Sequence, residues 1–382
     1  MQLILSSLIA HIAMNGARIT TTLYALSLQA SQLAVGTLVA VFGLFPVLCA
    51  VPMGRLIDRV GITRPMLGGC LAMGVGCVLP TLTSGLPWLY LSSMLVGTGF
   101  VTIQIASQHT VGVMSTMHNR STNFSWLALG YSISSFCGPV IAGLVIDHAG
   151  HAVSYLVFGG FALSALLMIA VSALHQIRMP QAAANQTQSG GGLWELLRDP
   201  DLRRIYAMAI LLGSAWDLFT FVTPIHGSQL GFSASTIGLI LGCFSIATFV
   251  VRLAMPWIAR RYSEWQVLVG VLGLAVICYG LLPFMHQPLS MMLVAAALGL
   301  ALGSSQPNVL ALLHQTAPPG HAGEAVGFRA TISNATGVVL PLAFGAAGAS
   351  LGLFAVFWGM GALVGAGIPL IWRKACGIAV KS

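Results

Sequence analysis

The chain is a succession of apolar runs, each about the length of a bilayer crossing and separated by short polar breaks. A helix rising 1.5 Å per residue needs roughly 20 apolar residues to cross the hydrocarbon layer. Read against that length, the pattern predicts spans at 4–27, 33–53, 65–83, 87–109, 120–146 and 151–174 in the first half. The second half reads 205–229, 235–256, 266–285, 289–313, 322–349 and 353–372. The expected fold is therefore an all-α membrane protein of twelve transmembrane helices.

One polar stretch is longer than the rest. Met179–Gly192 (MPQAAANQTQSGGG) reads as a flexible hinge, and Trp194–Arg204 after it reads as a short interfacial helix. This divides the chain into a six-helix half at 1–178, a cytoplasmic linker at 179–204 and a second six-helix half at 205–382. A gapless shift of 202 residues superimposes the halves. Ser31 meets Ser233, Gly36 meets Gly238, Arg59 meets Arg261, Gly97 meets Gly299, Gln104 meets Gln306, Pro139 meets Pro341 and Gly143 meets Gly345. Six spans per unit make the repeats parallel, related by a pseudo-two-fold along the membrane normal, with a site expected near the midplane at their interface.

Composition agrees. Of 382 residues, 57% are hydrophobic and 6% charged, against about 25% charged in an ordinary soluble domain. The formal charge of +8 is topological. Arg55, Arg59, Arg64, Arg120, Arg178, Arg198, Arg203, Arg204, Arg260, Arg261, Arg373, Lys374 and Lys381 all fall on one side if the spans alternate. The opposite loops, such as Ser27–Gln32 and His226–Phe232, hold no Lys or Arg. The asymmetry puts both termini in the cytoplasm, and no basic solvated surface suggests nucleic acid as a partner. The seven cysteines lack CxxC or metal-ligand spacing and read as small buried apolar residues. Nothing at the start resembles a cleavable signal peptide.

Charge inside the membrane is scarce, so each instance matters. Asp217 is the only acid near mid-membrane; Arg18 is comparably deep, Arg329 lies about two turns into its span, and Arg252 is placed to snorkel from the inner end of its span. Burying a charge at the bilayer centre costs at least ~2.5–3.5 kcal/mol, so such residues face a partner or water. His11, Asn15, Arg18 and Thr22 share one face of the first span, and Asn15 maps onto Asp217 across the repeat. Gln104 and Gln306, with Asn308 nearby, occupy equivalent places on spans 4 and 10. Arg18, Asp217, Asn15, Gln104, Gln306 and Asn308 are the candidate substrate or coupling cavity, with a structural ion pair as the alternative role for Arg18 and Asp217.

Two motifs carry a resemblance. Between spans 2 and 3 stands Gly54-Arg55-Leu56-Ile57-Asp58-Arg59-Val60-Gly61-Ile62-Thr63-Arg64. Span 5 carries Gly130, Ser134, Gly138-Pro139 and Gly143, small residues at four-residue spacing that let helices approach. The first resembles the cytoplasmic loop signature of the major facilitator superfamily, the second the motif of its drug/proton antiporter branch. The resemblance implies that Gly54, Asp58, Arg59, Gly61 and Arg64 form a conformational gate. The aspartate would dock at the start of helix 11, which here holds Glu324 and Arg329. It also implies that helices 1, 4, 7 and 10 line the cavity. Span 4 departs from the family pattern: aligned on Gly97, Ser93 and Val96 stand where R-x-x-Q-G is usual, so proton coupling through that arginine is absent.

These readings lead to a secondary active transporter of a small organic molecule, working by alternating access, as a proton-coupled efflux carrier. The alternative is an uptake or exchange carrier for an organic anion, with Arg18 gripping a carboxylate. A transporter-like sensor would need a signalling domain. A membrane enzyme would need a catalytic set, and no HExxH, GxSG, metal-spaced histidine cluster or P-loop is present. The expected setting is a bacterial cytoplasmic membrane, with lipid, a small-molecule substrate and protons as partners. The chain is expected to be a monomer without cofactor or metal.

Overall fold

The computed structural model describes residues 2–114, 120–172, 198–318 and 322–377, and the hinge 179–192 lies outside them. Ten α-helices occupy nearly all of this. In the first part they are α1 (Gln2–Ser27), α2 (Gln32–Val60), α3 (Thr63–Leu82), α4 (Leu86–Met114) and α5 (Arg120–Ala170). In the second they are α6 (Pro200–Gln229), α7 (Ala234–Ile258), α8 (Glu264–Leu281), α9 (Pro288–Thr316) and α10 (Ala322–Ala375). The two longest turn at a glycine with non-helical backbone, α5 at Gly150 and α10 at Gly352, so each is two arms joined end to end. By length and apolar composition nine of the described helices can cross a membrane. Leu71, Leu163, Leu293 and Leu351 are each more than half exposed, which suits a surface solvated by lipid and not by water.

The chain forms two compact units. One is Met1–Gln186 with Pro224–Gly242; the other is Thr187–Thr223 with Cys243–Ser382. In the first, α1 lies along α5, α2 on α4, and α3 on both α4 and α5. In the second, α8 packs on α9 and α10. Asp201 in the first turn of α6 holds Lys374 in the last turn of α10 at 2.6 Å, a carboxylate at a helix start and an ammonium at a helix end, as the helix dipoles favour.

The 202-residue repeat is written into the backbone. The turn after α1 has Gln29 at φ 59°, and the turn after α6 has Gly231 at φ 74°. Ser31 Oγ accepts the Ala34 amide at 3.2 Å, and Ser233 Oγ accepts the Thr236 amide at 3.2 Å. Gly150 (φ 82°) and Gly352 (φ 81°) make the same bend. Helix crossings repeat too. A Cβ on Gly97 would collide with the Phe42 carbonyl, and one on Gly299 with the Phe244 carbonyl, 202 residues on at both ends. At Gly159 a Cβ would lie 3.4 Å from Cys77 Cβ, and at Gly361 3.4 Å from Tyr279 Cβ. An internal repeat with a 202-residue register accounts for these pairs; chance does not.

Candidate functional site: a polar cavity in the second unit

Within the second unit, α6, α7, α9 and α10 enclose a cavity of about 270 Å³. Helical spacing selects its walls. Ala209, Gly213 and Trp216 come from one face of α6, Leu302, Ser305 and Val309 from α9, and Arg329, Ser333 and Thr336 from α10, each set close to i, i+4, i+7. Asp217, Arg252 and Gln306 complete it. Two guanidiniums and one carboxylate in a site walled by helices give the lining a net charge of +1.

Arg252 is held by a consequence of Pro307. Proline has no N–H, so the Gly303 carbonyl four residues earlier lacks its helical donor. Arg252 Nε donates to that carbonyl at 3.4 Å, and its Nη2 donates to Gln306 Oε1 at 3.4 Å. Arg329 is less well satisfied: its Nε is buried with no hydrogen-bond partner among the described residues. An unmade bond from a buried donor costs about 1–3 kcal/mol, more when the group is charged. Trp216 closes one wall, its ring edge-on to Phe244 at 4.6 Å.

The equivalent place in the first unit is filled. His11 Nδ1 lies 2.6 Å from Ser134 Oγ, and the imidazole stacks on Phe100 (5.0 Å) and tilts against Tyr131 (4.7 Å). Ser134 Oγ donates to the Gly130 carbonyl at 2.9 Å, which leaves it to accept from His11. The Asn15 amide nitrogen sits 3.3 Å from His11 Nε2.

The cavity thus gathers Asp217, Gln306 and Arg329 of the sequence candidates. Asn308 is not in its lining; its amide is buried and donates to the Ser304 carbonyl at 2.7 Å. Arg18, Asn15 and Gln104 are half-buried on α1 and α4 of the first unit. Of the gate residues, Gly61 ends α2 at φ 79°, its N–H bonded to the Ile57 carbonyl at 2.9 Å, and Arg59 and Arg64 are exposed. The side chain of Asp58, the surroundings of Gly54 and the side chain of Glu324 lie outside the described residues. The α5 motif works on two faces. Gly130, Ser134 and Gly138 meet α1, whereas Pro139 and Gly143 meet the first half of α7. Trp216, Ser333 and Thr336 join the lining beside the predicted candidates, His11 fills the matching place in the first unit, and Arg252, near the inner end of its span, also lines the cavity. The available signal was the repeat register, which maps His11 onto Gly213.

A polytopic helical bundle built as a sequence repeat, with a charged cavity between helices, has the build of a membrane transporter. The chain belongs to the Major Facilitator Superfamily, which it matches over residues 3–341. It is 26% identical over 332 residues to the class B tetracycline resistance protein of Escherichia coli, covering 81% of this chain and 77% of that one. Sugar efflux transporter A of Escherichia coli is 24% identical over 235 residues, 59% of this chain and 57% of the relative. In fold it resembles the nucleoside transporter NupG, with a TM-score of 0.76 at 13% identity over 97% of this chain and 98% of that one.

Proposed function

We propose that this chain is a secondary active carrier that exports a small organic molecule by alternating access, driven by protons, with both termini in the cytoplasm of a bacterial cell. The cavity of the second unit is the observation that supports it most. Its polar groups come from helical positions that the repeat pairs with residues of the first unit, and it contains the one carboxylate deep in the apolar spans. The relative named for sugar efflux supports the outward direction. With no arginine at the usual place on α4, Asp217 is the group proposed to carry the proton.

Flux in proteoliposomes under an imposed pH gradient tests this, screened over cationic drugs, sugars and small carboxylates. Accumulation that follows the gradient and collapses when it is dissipated is expected. Equal flux with and without the gradient would remove proton drive. For orientation, an impermeant thiol reagent applied to intact cells should label a single cysteine at position 228 and spare one at position 189.

A further inference from the structure

We infer that the cavity of the second unit is an anion subsite: it binds the negatively charged group of the transported solute between Arg252 and Arg329, with Gln306 alongside. The inference rests on the carrier reading and narrows its substrate to organic acids and zwitterions. Three observations carry it. The lining holds two guanidiniums against one carboxylate, so an incoming anion meets a positive field. Arg329 Nε is buried without a partner among the described residues, a donor that an acceptor on the solute would satisfy. Arg252 is pinned at Gly303 and Gln306 through Nε and Nη2, so its fork is oriented before any ligand arrives. Trp216 and Val309 supply an apolar wall for the solute's body, so the expected ligand is a carboxylate or phosphate carried on a small ring or alkyl group.

Binding to the purified full chain in detergent, followed by calorimetry or ligand-observed NMR, tests the subsite without requiring transport. The probes are benzoate, benzyl alcohol and benzylamine, which share a ring and differ in charge. Benzoate is expected to bind at least tenfold more tightly than the alcohol, and the amine most weakly. Arg329→Gln should weaken benzoate tenfold or more and leave the alcohol unchanged, with Arg329→Lys in between. Equal affinity for the three probes, or a preference for the amine, overturns the subsite even if a variant fails to fold, because the wild-type series alone decides it. Arginine-dependent benzoate binding with no carboxylate flux would instead overturn the carrier reading and keep the subsite.

The segment Gly54–Gly61 (GRLIDRVG) recurs at Gly143–Gly150 (GLVIDHAG), with glycine, isoleucine, aspartate and glycine at the same offsets. Both segments end in a glycine with the same backbone: Gly61 at φ 79°, ψ 176° and Gly150 at φ 82°, ψ 174°. In the second copy the aspartate is engaged. Asp147 accepts the Ala234 amide at 2.9 Å and the Ser235 amide at 2.8 Å, one through each carboxylate oxygen, at the start of α7. The absence of side chains at Gly143 and Gly238 lets α5 and α7 touch backbone to backbone behind it. These groups all belong to the first unit, whereas α7 from Cys243 onward belongs to the second.

We propose that Asp147 is a latch, the outer counterpart of the gate at Asp58, which must let go of α7 for the carrier to cycle. Asp147→Cys with Ser235→Cys, in a chain otherwise free of cysteine, should cross-link on mild oxidation, stop flux and regain it on reduction. A pair that carries solute while cross-linked, or that fails to cross-link in the resting protein, overturns the latch.

Discussion

The two units solve the same geometric problem in opposite ways. At matching places in the repeat the first unit has His11, Asn15, Ile103, Leu127, Tyr131 and Ser134, and the second has Gly213, Asp217, Ser305, Arg329, Ser333 and Thr336. In the first, an imidazole wedged between Phe100 and Tyr131 fills the space. In the second, glycine replaces the imidazole, serine replaces the phenol, and a Cβ on Gly213 would meet nothing within 4 Å. The space left over is the cavity. A duplicated scaffold needs no new backbone to make a cavity; two rings fewer on facing helices are enough. Polar groups then fall where apolar groups stood, the Arg329 guanidinium in place of buried Leu127 and the Ser305 hydroxyl in place of buried Ile103.

That comparison is open to direct attack. Refilling the cavity should have the largest effect. Gly213→His with Ser333→Tyr is expected to fold, because the first unit shows the backbone accepting both rings, but to lower flux at least a hundredfold. Size-exclusion chromatography and proteoliposome flux together decide this, and a double variant that transports normally would empty the comparison of functional meaning. The reverse exchange, His11→Gly with Tyr131→Ser, opens a hole in a packed seam. Losing two packed, half-buried rings costs up to roughly 3–5 kcal/mol, the scale of large-to-small core changes, and should appear as a markedly lower melting temperature.

Asp217→Asn sharpens the asymmetry at a single atom, since it restores the amide that Asn15 carries in the first unit. Accumulation against a gradient should fall about tenfold or more while downhill exchange continues. Unchanged accumulation in Asp217→Asn would give the proton a different carrier. The smallest effect is expected at the inner end of the chain's two Gly-Asp-Gly turns. Asp58→Asn should slow cycling a few-fold with solute binding intact, in line with about 0.3–1 kcal/mol for a carboxylate at a helix start. A variant that cycles at the normal rate would leave only the outer turn with a role.

Much of this was legible from residue types, and the losses have physical causes. Asp217 and Gln306 stand out because charge is scarce in the spans and because the repeat supplies a register. Arg252 stands near the end of its span, where a long cation ordinarily reaches for water, and its contact with the carbonyl freed by Pro307 is a feature that residue type alone does not announce. Asn308 lies outside this lining because its amide folds back on the Ser304 carbonyl four residues earlier, a choice that sequence does not record. The cavity itself was invisible because an absence, Gly213, makes it. Only superimposing the repeats turns a missing side chain into a signal.

The turn after α1 has one more consequence. Gln29 holds a left-handed backbone that its counterpart Gly231 adopts without steric penalty, and in both copies the amide one residue later donates back to the carbonyl five residues before it. Two copies of an ancestral gene can exchange almost every side chain and still inherit the same bend. Here one copy carries a tolerated misfit at the bend and follows the same path. Chain geometry, not residue identity, is what the two copies share at this corner.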